Sequence, residues 1–331
     1  MVKIVRFHQF GDADVLQLEE LPITEPGKGE VRLKVEAIGL NRAEVMFRQG
    51  AYLEEPDSFP STLGYEAAGV IDAVGEGVTE FKIGDRVSTI PGFSMKNYGV
   101  YGESALAPVA MVAKYPDKLS PQEGTAIWMQ YITAYGALIE YGQVKSGDFV
   151  LIPAASSSVG NAAIQITKAQ GATAIATTRG ANKKQTLLDN GADYVIVTNE
   201  EDLPAKVMEF TNGQGANIIF DPVAGSYIET LANAAARGAT IFEYGALSME
   251  TTPFPLFPAL QKGLKVQGYT LFEIAGDPVK LEKAKQYIYD GLESGKLVPI
   301  LDRSFPLEQI ADAHRYMESN QQNGKIIVTV P

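Results

Sequence analysis

The chain has 331 residues, a formal net charge of −12, an isoelectric point near 4.8, and 45% hydrophobic residues. The acidic balance argues against a nucleic-acid surface, and no apolar run approaches the length of a membrane span. It contains no cysteine, so disulfides and any cysteine-containing metal site are excluded.

The length exceeds what one core usually serves, so two domains are expected. The start, MVKIVRFHQF, lacks the apolar stretch of a signal peptide, and a cytoplasmic protein is expected. Residues 2–10, 15–21 and 30–39 read as strands. In the third, Val31, Leu33, Val35 and Ala37 alternate with Arg32, Lys34 and Glu36. Asn41 followed by Glu44 is close to a capping box and opens a short helix that ends by Gly50. Residues 64–77 and 84–87 are glycine-punctuated strands of a compact β-barrel-like domain, with Gly69 marking close backbone approach. A loop at 92–102 holds Phe93, Tyr98 and Tyr101. A strand at 104–113 and a helix over 121–141, carrying Trp128 and Thr133, follow.

From Phe149 the pattern changes to alternating strands and helices, which predicts a parallel sheet. Strands are expected at 149–153, 173–178, 194–198, 216–220, 240–244 and 265–270, with helices clearest at 203–211 and 227–236. A helix at 278–294, a strand at 298–304, a helix at 307–319 and a strand at 325–330 complete the chain.

The most informative stretch is Ser146 to Lys184. It contains an apolar strand, the small-residue turn Ala154-Ala155-Ser156-Ser157-Ser158-Val159-Gly160, a helix closed by Gly171 and a second strand. Such a unit sets free N–H groups and a helix N-terminus at one point, which suits an anion. The turn carries serines where a G-x-G-x-x-G fingerprint has glycines, and plain βα turns of this kind also occur where no nucleotide binds. The second strand ends Thr177-Thr178-Arg179, with Lys183 and Lys184 beyond and no carboxylate before Asp189. A carboxylate there would select the ribose hydroxyl of NADH, whereas Arg179 and Lys183 suit the 2′-phosphate of NADPH. Read otherwise, they are solvated charges that oppose the helix dipole. The only histidines, His8 and His314, stand at opposite ends of the sequence and read as surface or packing residues, so no metal is expected.

Five motifs occur in order: Gly64-Tyr65-Glu66-Ala67-Ala68-Gly69, Gly84-Asp85-Arg86-Val87, the 154–160 turn, Asp221-Pro222-Val223-Ala224-Gly225 and Gly324-Lys325-Ile326-Ile327-Val328. Together they resemble the medium-chain dehydrogenase/reductase superfamily, specifically its zinc-free quinone oxidoreductase branch. The resemblance implies an α/β protein with two domains. A GroES-like, β-rich catalytic domain is formed by 1–122 with 271–331, and a Rossmann domain with a doubly wound parallel sheet by 123–270. The active site would lie in the cleft between them. Zinc-dependent members carry Gly-His-Glu in the first motif and a cysteine at the position of Asn41; here Tyr65 replaces that histidine.

By resemblance, Asn41 would bond the nicotinamide ribose or the substrate carbonyl, and Thr133 would touch the nicotinamide end. Ser157, Ser158 and Val159 would meet the pyrophosphate. Arg179 and Lys183, with Thr178 beside them, would hold the 2′-phosphate. Gly245, Leu271 and Phe272 would flank the nicotinamide, and Lys325 would face the cofactor.

Without a metal to polarise an alcohol or ketone, the easier hydride acceptors are conjugated, namely quinones and α,β-unsaturated carbonyls. Asn41, Tyr52 and Tyr65 are the candidate donors to the developing oxyanion. Tyr52 sits where related enoyl reductases carry a catalytic tyrosine, and reads equally as a wall residue packed on substrate. Tyr65 fills the space of the lost metal. Phe254 and Phe257 either line an apolar cleft or pack at a subunit edge. The last strand of the sheet leaves an exposed edge, which a second copy would cover, so a homodimer is expected. The expected activity is NADPH-dependent reduction of a small quinone or enone. Enoyl-thioester reduction and nucleotide binding without turnover are the alternatives.

Overall fold

The computed structural model describes residues 1–331, and contacts divide the chain into two compact units. One contains Met1–Met129 with Pro299–Pro331, the other Gln130–Val298.

In chain order the first unit begins with β1 (Val2–Arg6), β2 (Gln17–Leu21), β3 (Glu30–Gly39), β4 (Glu66–Val74), β5 (Arg86–Thr89), β6 (Ser104–Pro108) and β7 (Val112–Lys114). The second unit contains β8 (Phe149–Ile152), β9 (Thr173–Thr178), β10 (Tyr194–Val197), β11 (Ala216–Asp221), β12 (Ala235–Glu243) and β13 (Lys265–Gly268). The chain then returns to the first unit with β14 (Leu301–Pro306) and β15 (Lys325–Thr329).

The first unit is a GroES-like β fold. Its seven-stranded sheet runs β14-β15-β3-β4-β5-β7 with β6 also on β3, and β1 and β2 form a separate antiparallel pair. The alternation of β3 works as expected, since Val31, Leu33, Val35 and Ala37 are all fully buried. Gly69 on β4 faces a β3 backbone so close that a Cβ would lie 2.0 Å from the Lys34 carbonyl oxygen. Only glycine fits that crossing.

The second unit is a six-stranded, wholly parallel sheet in the order β10-β9-β8-β11-β12-β13. The order reverses between β8 and β11, the position at which doubly wound sheets receive ligands. Leu151, Ile175, Ile196, Ile219 and Ile241 from five strands pack against Leu203, Val207 and Leu231 of the covering helices.

The two compact units divide at 129/130 and 298/299, whereas the expected domains divide at 122/123 and 270/271. The helix Pro278–Ser294 explains the shift, because it packs on the second unit. There Tyr287 lies 5.2 Å from the Tyr135 ring and accepts a 3.1 Å hydrogen bond from Gln170, and the Lys280 ammonium donates to Tyr141 at 3.0 Å. The single helix expected over 121–141 is three pieces, ending in a π-turn over Gly136–Tyr141. The helix expected to reach residue 236 stops at Ala234, and β12 begins at Ala235. The 92–102 loop contains a helical turn, Met95–Tyr98. No helix is long and apolar enough to cross a membrane.

Candidate functional site

In the first unit, Asn41 lies two residues past the end of β3 and caps the helix Arg42–Arg48. Glu44 reaches back to the Asn41 backbone N–H, which completes the capping box. The Asn41 side chain turns inward. Its amide nitrogen donates to Glu44 at 3.1 Å and to Glu66 at 3.2 Å, and its carbonyl oxygen accepts from Lys325 Nζ at 2.6 Å. Lys325, the first residue of β15, also pairs with Glu66. Glu66 further accepts the Met129 N–H at 2.8 Å, and Glu44 accepts that of Tyr65 at 3.2 Å. All four side chains are buried. Burial pushes the Glu44 carboxyl up to about 7, against the pull of the Lys325 ammonium and the Asn41 hydrogen bonds. The expected site residues Asn41 and Lys325 are therefore in direct contact, but with their polar atoms turned on two carboxylates.

Tyr65 is buried and Tyr52 half-buried, with their hydroxyls 3.5 Å apart. The Tyr65 hydroxyl lies equally far from Glu54, whose carboxylate caps the Met95–Tyr98 turn by accepting the Met95 N–H at 2.9 Å. Burial pushes the Tyr52 phenol up to about 12 and raises Tyr65 as well. Both phenols stay protonated at neutral pH, as a hydrogen-bond donor to an oxyanion must be.

This unit does not suit a zinc ion. Lys325 and Asn41 hold Glu66, tyrosine stands at 65, and no three His, Cys, Asp or Glu side chains come together in the chain. His8 is exposed and pairs with Glu19, while His314 is buried against Tyr101 with burial pushing its imidazole down to about 3.

In the second unit, β8 feeds the turn through Ala154, whose φ of 47° is left-handed, into the helix Ser158–Ala169. Ser157 is the N-cap, and its hydroxyl accepts the Gly160 N–H at 2.9 Å. The Asn161 N–H goes to the Ser157 carbonyl, leaving those of Ser158 and Val159 as the two unspent donors of the helix start. Gly160 is required, since a Cβ there would stand 2.5 Å from the Ala155 carbonyl oxygen. Lys183 crosses to the turn and donates to the Ser156 hydroxyl at 3.0 Å. Arg179 is exposed at the end of β9, next to buried Thr178, whose hydroxyl donates to the Gly180 carbonyl at 3.2 Å. Lys183 and two free N–H groups thus meet at one half-buried serine turn, with Arg179 exposed just past the end of the neighbouring strand β9, an arrangement fitted to phosphates.

The remaining expected residues lie elsewhere in this unit. Gly245 sits over the turn after β11, where a Cβ would come 2.8 Å from the Pro222 carbonyl oxygen. Thr133 and Leu271 are buried, and Phe272 is half-buried. Tyr269 joins their two segments by donating to the Ile132 carbonyl at 3.2 Å. Sequence reasoning missed the buried roles of Glu44, Glu66, Asp221 and Glu243. Glu66 and Asp221 stand in two of the quoted motifs, which was the available signal.

The chain is similar to known proteins over nearly its whole length. Residues 27–117 match the family model described as alcohol dehydrogenase GroES-like domain, and residues 158–286 match the one described as zinc-binding dehydrogenase. The quinone oxidoreductase of Homo sapiens is 33% identical over 99% of this chain and 98% of its own length. A Pseudomonas syringae quinone oxidoreductase structure superposes with a TM-score of 0.92 at 30% identity, covering 99% of this chain and 100% of that one. The Escherichia coli quinone oxidoreductase, solved in complex with NADPH, gives 0.91 at 29% identity, with 99% of each chain covered.

Proposed function

The chain belongs to the medium-chain dehydrogenase/reductase superfamily, in its quinone oxidoreductase branch, and from that premise we propose that it is an NADPH-dependent, zinc-independent reductase of quinones or α,β-unsaturated carbonyls. The carrying observation is the 154–160 turn, with Lys183 bonded to Ser156 and Arg179 exposed just past the end of the strand paired with β8. When bound, NADPH supplies the hydride.

The chain's own residues bind and orient. The N–H groups of Ser158 and Val159 receive the pyrophosphate, and Arg179 and Lys183 receive the 2′-phosphate, beside Thr178. Gly245, Thr133, Leu271 and Phe272 shape the nicotinamide end. Tyr52 is the donor to the substrate oxygen, and Tyr65 positions it through the contact between their hydroxyls. Asn41 and Lys325 hold the Glu44–Glu66 cluster that fixes the start of the Arg42–Arg48 helix.

The expected outcome of an assay is oxidation of NADPH by a panel of quinones and enones, unchanged after chelator treatment and dialysis. Activity lost to chelators and restored by zinc contradicts the metal-free reading. No oxidation with any acceptor, despite tight NADPH binding, contradicts the enzymatic one.

The same premise supports a homodimer. β13 is an edge strand, and the helix Leu256–Lys262, which precedes it in the chain and packs on β12, exposes Leu256, Phe257 and Leu260, the last two at 80% and 72%. An apolar stripe beside an open edge favours self-pairing. Light scattering is expected to give twice the 35.7 kDa chain mass, falling to a single chain in the Phe257→Asp, Leu260→Asp variant. A monomeric parent protein contradicts the pairing.

A further inference from the structure

β11 and β12 run in parallel register, and their last residues, Asp221 and Glu243, stand side by side. Both lie at the carboxyl edge of the sheet, and β11 is the neighbour of β8 across the point where strand order reverses. Asp221 is fully buried and accepts the N–H groups of Val223 and Ala224, each at 2.9 Å. These bonds hold a tight turn in which Ala224 and Gly225 both have left-handed backbones, φ 61° and 64°. The following segment is tied to it, because the N–H groups of Tyr244, Leu247 and Ser248 donate to the carbonyls of Asp221, Pro222 and Val223.

The two oxygens of Glu243 are buried and meet no N–H or O–H donor. What they face is the Asp221 carboxyl, itself an acceptor. The residue paired with Glu243 on β13 is Gly268, which brings no side chain. Tyr227 and Tyr244 also face Asp221, and the burial that dominates their surroundings, with Asp221's charge added, keeps both phenols neutral. No lysine, arginine or histidine acts on either carboxyl. Two adjacent carboxyls without a counter-ion cannot both ionise at low cost.

We propose that Asp221 and Glu243 hold one proton between them, and that its loss weakens binding of the anionic dinucleotide at the adjoining serine turn. The coupling rests on the cofactor reading given above. Asp221 keeps the anionic share, because two backbone N–H groups favour its charged form, and Glu243 keeps the proton. Ionising Glu243 sets a second negative charge beside the strand ends that frame the pyrophosphate site and opposes the contact with the 222–225 turn. Glu243 is a positioning residue in this scheme, because it acts through Asp221 and the turn. Burial, then the Asp221 charge, pushes its carboxyl up to about 8, which sets the pH window.

The test uses the full chain and Glu243→Gln, whose amide still donates to Asp221 but cannot ionise. NADPH dissociation constants are measured from pH 7 to 9.5, above the titration of the 2′-phosphate, which lies near about 6. In the parent protein the constant is expected to rise through that window, approaching a limit of about tenfold per pH unit. In Glu243→Gln it is expected to stay flat. Stability of the unliganded protein is a second readout. The folded state keeps a proton that the unfolded carboxyl has already lost. That contribution is therefore complete below the ordinary carboxyl range, and is lost as pH rises through about 8. Glu243→Gln is expected to abolish this loss. Glu44 titrates near the same range but is common to both proteins. Identical pH profiles in two proteins that both bind NADPH overturn the coupling alone. No binding at any pH overturns the cofactor reading and the coupling with it.

Discussion

Replacing Lys325 by methionine is expected to lower the stability of the first unit by about 3–5 kcal/mol, the usual cost of removing one partner from a buried ion pair. The Lys325 side chain is completely buried, and its ammonium is the one cation bonded to the Asn41–Glu44–Glu66 cluster. Without it Glu66 keeps only the Met129 N–H and the Asn41 amide as donors. Glu44, already pushed up to about 7 with the ammonium in place, is expected to take a proton at neutral pH. Combining Lys325→Met with Glu66→Gln removes the stranded charge while keeping an acceptor for the Met129 N–H. The double variant is therefore expected to recover much of the loss. The single tryptophan provides the readout, since Trp128 is buried in the first unit and donates to Ser88 at 2.9 Å. Its fluorescence reports that unit even when the two unfold separately. A midpoint of denaturation unchanged in Lys325→Met contradicts the central place given to this cluster.

Where one local signal decided an element, the sequence was readable. β3 follows its alternation from Glu30 to Ala37, and the Pro278–Ser294 helix runs from its Asp277 cap to left-handed Gly295. The order of motifs carried the family, both fold classes and the βα turn. Errors arose where a distant contact overrode the local pattern. Ala235 and Ala236 continue a helical run, yet they open β12 because Ala216 on β11 pairs with that strand end. Gly136 starts a π-turn where a Cβ would stand 2.0 Å from the Tyr269 hydroxyl, a residue 133 positions away and invisible to any local window. The buried carboxylates were hidden for the same reason. Glu44 is a capping residue whether it faces solvent or Lys325, and only the strand register makes neighbours of Asp221 and Glu243. Asn41 and Lys325 were picked out as site positions, and the structure brings them into contact, but which way their polar atoms turn is a tertiary property.

Exchanging Arg179 and Lys183 together for alanine is expected to separate the two nicotinamide coenzymes. A charge-assisted hydrogen bond contributes roughly 1.5–3 kcal/mol, and each 1.4 kcal/mol is about tenfold in affinity. Losing both cations therefore weakens NADPH by about a hundredfold or more. NADH lacks the 2′-phosphate and still has the N–H groups of Ser158 and Val159 for its pyrophosphate, so its affinity changes little. Lys183 alone is expected to have the larger share, because its ammonium is already held at the turn by Ser156, whereas Arg179 is exposed. The general repulsion of an anion by a chain of net charge −12 acts on both coenzymes and does not discriminate between them. The decisive measurement is the pair of dissociation constants, for NADPH and NADH, in the parent protein and in Arg179→Ala, Lys183→Ala at one ionic strength. A large loss for NADPH with NADH nearly unchanged is the expected result. Equal losses for both, or no loss for either, would contradict the docking of a phosphorylated dinucleotide on the serine turn.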